Sequence, residues 1–209
     1  MEEDFTIINN QTRVEKIKNF LLKNKKQLVS LIVFIIIIII SYFSYQIYKD
    51  KNKELLANKY NSMIIEFEDG DKSKVISSMK EIVKKKDTTY SPLAFYFLLD
   101  NNLISSKKET NYFFDIIINE IKLEKEIRNL IIYKKGLFNS NFKSENELLG
   151  ILKPLINSNS IWKSHALYLM GEYYSSKGEN QKAKDFFEKI LELSNVNVKI
   201  LEEAKKKLN

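Results

Sequence analysis

An uncharged run near the N-terminus, Gln27 to Tyr48, limits most strongly what this chain can fold into. It contains six consecutive isoleucines, Ile35 to Ile40, and between Leu28 and Ile40 the only polar side chain is that of Ser30. A helix of this length extends roughly 33 Å, which is enough to cross a hydrocarbon core about 30 Å thick. A helix in a water-soluble protein would normally present a polar face, which this run lacks. The sequence therefore predicts a transmembrane helix over residues 27–48.

A buried soluble helix and a cleaved signal peptide are the alternatives for this run. The apolar region of a signal peptide spans about 7–15 residues and ends at small residues. Here the run is longer and leaves through Ser41-Tyr-Phe-Ser-Tyr-Gln. Tyr42, Tyr45 and Tyr48 recur at helical spacing at its far end, where amphipathic rings favour the membrane interface. We expect the segment to stay in the membrane as the anchor of the chain.

Basic residues flank the predicted span on both sides and predict its orientation. Six precede it, Arg13, Lys16, Lys18, Lys23, Lys25 and Lys26, and four follow it, Lys49, Lys51, Lys53 and Lys59. The positive-inside rule then favours a cytoplasmic N-terminus, and a long domain can be translocated largely regardless of its charge. We expect residues 1–26 to form a cytoplasmic tail and residues 49–209 to form one domain outside the cytoplasm.

The composition of residues 49–209 argues against nucleic-acid binding. These residues carry 28 Lys and Arg against 23 Asp and Glu, and the lysines are interleaved with glutamates. Arg13 and Arg128 are the only arginines in the chain, although nucleic-acid surfaces commonly use arginine for phosphate and base contacts. The chain contains no cysteine, so it has neither disulfides nor thiolate chemistry in any compartment.

Residues with catalytic or metal-binding chemistry are few. His165 is the only histidine, which excludes a histidine metal cluster and, with no cysteine, Cys-His catalysis. The five glycines are scattered, so no phosphate-binding loop is present. An EF-hand register with Gly70 at the sixth position would put Ile65 and Ile76 where carboxylates are needed. We expect no catalytic, metal or cofactor site and no enzyme activity, although an enzyme or transport subunit remains a competing class.

Apolar residues in the rest of the chain recur at spacings of three and four, which predicts helices and no strands. Helices are predicted over 50–68, 72–86, 92–104, 108–121, 124–138, 144–157, 161–176, 180–193 and 197–208, the first of them continuing from the membrane helix. Ser91 before Pro92 and Ser160 before Ile161 are predicted N-caps. Gly70 and Gly178 are predicted to end helices in a left-handed conformation.

One segment carries a repeat signature. Large, small and aromatic residues and a turn glycine follow one another at fixed offsets, as Leu167, Gly171, Tyr174, Gly178, Ala183 and Phe187. This pattern resembles a tetratricopeptide repeat, in which the small residues lie where two antiparallel helices cross. The family's usual alanine and closing proline are replaced by Ile190 and Asn195.

The other helical pairs are degenerate, and the stretch from Tyr133 to Leu155 shows helical periodicity without a convincing signature. The intervals between units are nevertheless about 30–40 residues, which is typical of helical repeats. The predicted fold is all-α: a single N-terminal transmembrane helix followed by a short tetratricopeptide-like α-solenoid of about four hairpins and a closing helix. The concave face of such a solenoid commonly binds polypeptide.

The arrangement of the whole chain resembles the bacterial ancillary SecYEG translocon subunit family. The resemblance rests on the tail Val14-Glu-Lys-Ile-Lys-Asn-Phe20, the single span, Thr89-Tyr90-Ser91 before a helix, and the segment from Trp162 to Leu208. It implies an inner-membrane protein with a periplasmic domain that associates with Sec translocon subunits, a membrane-anchored periplasmic chaperone and secreted polypeptides. A tetratricopeptide scaffold for outer-membrane assembly or cell division is the alternative, and the partner-binding residues stay unassigned.

Overall fold

The computed structural model describes the backbone of residues 2–208 and the side chains from Arg13 onward, except that of Asp69. Met1 and Asn209, the first residue of the predicted tail and the last of the predicted domain, lie outside this range. The described residues form ten α-helices and no strand, which confirms the all-α prediction. The helices are α1 Glu2–Lys23, α2 Lys25–Asp69, α3 Lys72–Lys84, α4 Tyr90–Asp100, α5 Lys107–Glu120, α6 Lys125–Asn139, α7 Glu145–Ile156, α8 Lys163–Ser176, α9 Asn180–Leu191 and α10 Val198–Leu208.

The helix α2 contains both the predicted span and the first helix predicted after it, so the expected continuation across residues 48–50 is confirmed. The chain divides into two compact units within α2, between Leu55 and Leu56. The first unit holds α1 and the apolar part of α2. The second unit holds the end of α2 and all of α3 to α10.

Polar side chains fix where several helices of the second unit begin. The Asp71 carboxylate accepts hydrogen bonds from the backbone N–H groups of Ser73 (2.8 Å) and Lys74 (3.3 Å) at the start of α3. At the start of α7, Glu147 Oε2 accepts from the Ser144 backbone N–H (3.1 Å) and from the Ser144 hydroxyl (2.8 Å). These contacts satisfy donors that a helix end leaves free.

The predicted N-cap at Ser91 is wrong. The helix α4 begins at Tyr90, and the Asp87 carboxylate accepts from the backbone N–H groups of Thr89 (2.8 Å) and Tyr90 (2.7 Å). Ser91 is fully buried, and its hydroxyl donates to the Ile82 carbonyl oxygen at 2.7 Å. An earlier carboxylate is thus available to cap the helix, and Ser91 links the last turn of α3 to α4.

Gly70 and Gly178 differ in backbone conformation. Gly178, which follows the C-cap residue Lys177 of α8, has φ of 76°, as predicted. Gly70 is not among the described glycines with positive φ, so the prediction of a left-handed residue there is wrong. It follows the end of α2 at Asp69 and precedes Asp71, the extended N-cap of α3. The left-handed residues after α3 and α4 are instead Lys86 (φ 58°) and Asn102 (φ 54°).

The second unit is a solenoid-like stack in which each helix packs on its neighbours in the chain. The pairs α6/α7 and α8/α9 form the predicted antiparallel hairpins, whereas α4 packs more extensively on α3 than on α5. Contacts between alternate helices, α3 with α5, α6 with α8 and α8 with α10, complete the stack. Phe95, Phe113 and Phe114 are fully buried in the core, with the Phe95 and Phe114 ring centroids 4.7 Å apart.

The hairpins α6/α7 and α8/α9 share one packing device. A Cβ atom on Gly171 would lie 2.5 Å from Phe187 Cε1, and a Cβ atom on Gly136 would lie 2.4 Å from Leu152 Cδ2. Both glycines therefore permit a close approach of two helices. Each glycine precedes its partner by 16 residues, and the two pairs are 35 residues apart. The stretch from Tyr133 to Leu155, which shows no convincing repeat signature in the sequence, thus has the same helix-crossing geometry as the next hairpin.

A buried amide pair joins α5 to α6. The Asn111 and Asn139 side chains donate to each other at 3.0 and 2.8 Å, and Asn139 also donates to the Lys135 carbonyl oxygen at 2.7 Å. Asn139 is fully buried, and a buried amide without partners would be costly. The pair therefore favours a single register of α5 against α6.

Candidate membrane anchor and interaction surface

The apolar part of α2 is long and hydrophobic enough to cross a membrane. Its most apolar stretch has a mean hydropathy of 2.7, and none of its residues is buried among the described residues. The six isoleucines Ile35–Ile40 are each about half exposed, which is close to what a single helix allows for such side chains. Since about 25 cal/mol is gained per Å² of apolar surface removed from water, this surface strongly favours a nonpolar environment.

Tyrosine side chains cluster at the C-terminal end of the apolar run. Tyr42, Tyr45 and Tyr48 are each exposed, and Gln46 Nε2 donates to the Tyr42 hydroxyl at 3.0 Å. Rings with one polar tip are typical of the boundary between lipid tails and water. This end of the run therefore has the chemistry of a membrane interface.

In the second unit, a tight turn before α8 presents the only tryptophan, Trp162. The Ser160 hydroxyl accepts from the Trp162 backbone N–H (3.1 Å) and donates to Glu126 Oε2 (2.6 Å). The helix begins only at Lys163, so the prediction that Ser160 is its N-cap is wrong. The Glu126 carboxylate on α6 holds Ser160 in the turn, and the turn positions Trp162 against α6.

Trp162 belongs to a cluster of three rings from two helical hairpins. The ring of Tyr133 on α6 stacks on Trp162 with centroids 5.8 Å apart, and it meets the edge of His165 at 5.5 Å. The Trp162 and His165 centroids are 5.0 Å apart. The cluster brings together residues about 30 positions apart in the chain, so it helps fix α8 against α6.

Trp162 and His165, two of the three rings, form with Ile161 one wall of an open recess with a volume of about 310 Å³, which we call the Trp162 recess. The other wall is the loop between α9 and α10. The lining residues are Ile161, Trp162, His165, Asn195, Val196 and Asn197. Ile161 at the recess is 54% exposed, and Val198, which follows Asn197, is 69% exposed. The recess thus combines aromatic rings, side-chain amides and exposed aliphatic groups.

The recess carries no charged side chain at neutral pH. Burial beside the aromatic rings lowers the pKa of His165, and a backbone hydrogen bond with Ile161 opposes this effect only in part. Burial also raises the pKa of Tyr133. Both side chains are consequently neutral near pH 7, and the residues other than His165 that line the recess are uncharged types. A ligand of this surface would be recognised by apolar contact and hydrogen bonds rather than by ion pairing.

His165 and the repeat positions fall in different places in the structure. His165 lies in the first turn of α8 and faces the recess, whereas Gly171, Ala183 and Phe187 are buried between α8 and α9. Tyr168 is half-buried, with its ring 5.5 Å from that of Phe187. It is therefore a packing residue more than a surface residue. The repeat positions build the hairpin and do not line the recess.

Metal ligands do not cluster in the part of the chain that the structure describes. Within it, no three His, Asp or Glu side chains lie close enough together to hold a metal ion. Its carboxylates commonly pair with lysines at the surface, for example Glu145 with Lys182 at 3.0 Å and Glu109 with Lys80 at 2.8 Å.

Comparison of the chain with protein-family models, with curated proteins and with solved structures finds no match.

Two features of the second unit are not predicted from the sequence. They are the loop Asn195–Asn197, which forms a wall of the recess, and the packed pair Gly136–Leu152. The Gly136–Leu152 pair does have a signal in the sequence, because Gly136 and Leu152 lie 35 residues before Gly171 and Phe187 and have the same spacing. The loop Asn195–Asn197 has no such signal, because its sequence contains no recognisable motif.

Proposed function

We propose that this protein is a membrane-anchored helical-repeat module that binds other polypeptides through its C-terminal domain. The observation that carries the proposal is the Trp162 recess, a neutral surface of rings, amides and exposed aliphatic side chains. The apolar α2 anchors the module, and the stacked hairpins supply a rigid frame for the recess.

The chemistry of the recess favours a polypeptide ligand. Aromatic side chains and a partly exposed isoleucine offer apolar contact of the kind that protein interfaces concentrate at their centres. The amides of Asn195 and Asn197 stand beside them and can bond to a peptide backbone; Asn197 Oδ1 also accepts from the Ile200 backbone N–H at 3.2 Å.

The partners that we propose are Sec translocon subunits, a membrane-anchored periplasmic chaperone and secreted polypeptides in transit. The support is the resemblance of the tail, the single span and the repeat domain to the ancillary translocon subunit family. A tethered domain also has a high local concentration at the membrane, so weak contacts with an emerging chain become sufficient. The 35-residue spacing of the α6/α7 and α8/α9 hairpins agrees with a tetratricopeptide-like repeat.

The proposed location is the bacterial inner membrane, with the tail in the cytoplasm and the domain in the periplasm. Six basic residues before the span against four after it support this orientation. We expect protease added to intact spheroplasts to digest the chain beyond Lys49. Protection of the domain until the cells are lysed would reverse the orientation and remove the periplasmic proposal.

Site-specific photocrosslinking in intact membranes tests the binding function. A photoreactive amino acid at Ile161, which lines the recess and is 54% exposed, is expected to capture translocon subunits, a chaperone or a secreted chain. Lys184 on α9 is the control, because it is exposed and does not line the recess.

Equal capture from both positions would mean that the recess is not the binding surface. Capture of only cell-division or outer-membrane assembly proteins from Ile161 would favour the alternative scaffold over the translocon. Identification of the crosslinked proteins distinguishes loss of the recess as the binding surface from a change of partner class.

A further inference from the structure

The C-terminal half of α1 has an apolar stripe that the described parts of the chain leave uncovered. Val14, Ile17 and Leu21 lie at helical spacings of three and four, and Phe20 borders them. Their exposed fractions are 64% for Val14, 60% for Ile17, 60% for Phe20 and 49% for Leu21. In water this surface is unfavourable, so it calls for a partner.

The opposite face and the edges of the same helix are basic. Lys16, Asn19 and Lys23 follow the same helical spacing on the other side, while Arg13 and Lys18 border the apolar stripe. Leu22, 63% exposed, is an apolar side chain outside the stripe, between Lys18 and Asn19. From residue 13 to residue 26 the chain has six basic side chains and one acidic side chain, Glu15. A basic amphipathic helix of this kind is typical of helices that lie in the plane of an anionic membrane surface.

The position of this helix places it at such a surface. A single residue outside the helices, Asn24, lies between α1 and α2. Its backbone N–H donates to the Phe20 carbonyl oxygen at 3.0 Å, and its own carbonyl oxygen accepts from the Leu28 N–H at 2.9 Å, so helical hydrogen bonds flank the break on both sides. An orientation of α1 in the membrane plane therefore requires a bend at Asn24. The uncharged run begins only a few residues later, at Gln27. If α2 crosses a membrane, the apolar stripe is held within reach of its lipid headgroups at high local concentration.

We propose that residues 13–23 form an in-plane helix that binds the anionic lipid surface of the membrane that α2 crosses. The apolar stripe inserts among the headgroups, and the lysines of the basic face and the edges pair with lipid phosphates. The proposal concerns the first unit alone and is independent of what the Trp162 recess binds.

The test uses the full-length chain in lipid nanodiscs. Because the chain contains no cysteine, Ile17→Cys provides one labelling site for an environment-sensitive fluorophore, with Asn19→Cys on the basic face as the matched control. In discs that contain phosphatidylglycerol, we expect the label at position 17 to shift to the blue and to be quenched by nitroxide-bearing lipids. The label at position 19 is expected to do neither. Discs of phosphatidylcholine alone are expected to give a much smaller effect.

A charge variant examines the electrostatic part of the proposal. Replacing Lys16, Lys18 and Lys23 by glutamine should shift the label at position 17 toward water in anionic discs, by about fivefold in the insertion equilibrium for each charge removed. Trp162 fluorescence reports whether the domain remains folded in each variant.

Four results would overturn the proposal. Equal water exposure at positions 17 and 19 in anionic discs would mean that the helix does not insert. Equal insertion in both lipids, or no change in the lysine variant, would remove the anionic lipid as the ligand. Protection of position 17 only in native membranes would assign the apolar stripe to a protein partner.

Discussion

Replacing Gly171 by leucine is expected to destabilise the helical domain by roughly 1–3 kcal/mol, because the new side chain would overpack the crossing of α8 and α9. Even a Cβ atom at this position would lie 2.5 Å from the Phe187 ring, and Phe187 is 2% exposed, so the ring has little room to move. In a domain of this size each kcal/mol lowers the thermal midpoint by about 2–4 °C. Trp162, the only tryptophan, reports the transition by its fluorescence.

Gly150 is the matched control for this experiment. It lies inside α7, and a Cβ atom there would meet no atom within 4 Å. Gly150→Leu should therefore be neutral or slightly stabilising, because leucine favours a helix more than glycine does. Gly136→Leu should resemble Gly171→Leu, since its Cβ atom would meet Leu152. Equal and negligible effects at positions 150 and 171 would show that the spacing match in α8 and α9 has no structural meaning.

Replacing Ile37 and Ile38 together by aspartate is expected to release the protein from membranes. On insertion scales each aspartate at the centre of a span costs about 2.5–3.5 kcal/mol, so the pair removes most of the preference for lipid. The measurement is the fraction of protein that sediments with membranes after an alkaline carbonate wash. We expect the wild-type chain in the membrane fraction and the double variant in the soluble fraction.

Ile65 supplies the control for the anchor. It lies on the same helix, beyond the apolar run, and is 74% exposed, so Ile65→Asp should leave membrane association unchanged. Membrane retention of the double variant would contradict the anchor. A mature N-terminus near Tyr45 in the wild-type protein would show instead that the run is a signal peptide.

The existence and order of the helices could be predicted from the sequence, whereas some of their ends could not. Apolar spacing and the scarcity of glycine and proline placed every helix after the span within a few residues of its observed position. Ser91 and Ser160 were predicted as caps on local pattern alone. The Ser91 hydroxyl instead donates to the Ile82 carbonyl oxygen on α3. The Ser160 hydroxyl accepts from the Trp162 N–H within a turn and donates to Glu126, which is distant in the chain. Contacts with residues elsewhere in the fold, rather than local sequence alone, therefore determine where these two helices begin.

The candidate recess could not be predicted because its two walls come from separate parts of the chain. Trp162 immediately precedes α8 and His165 lies in its first turn, whereas Asn195–Asn197 precede α10, with the whole of α9 between them. The Asn111–Asn139 pair could not be predicted either, because its two residues lie on different helices. In contrast, the Gly171–Phe187 packing followed from residue size and spacing, and the same offset applied to Gly136 would have found the preceding hairpin.

Affinity purification from gently solubilised membranes tests the proposed binding function most directly, with the wild-type chain and Ile161→Asp compared side by side. The substitution places a charge at the neutral recess without touching the buried core, because Ile161 is 54% exposed. We expect translocon subunits and a membrane-anchored chaperone to copurify with the wild-type chain and to be depleted with the variant. Equal recovery with both chains, or recovery of only cell-division or outer-membrane assembly proteins, would contradict this account.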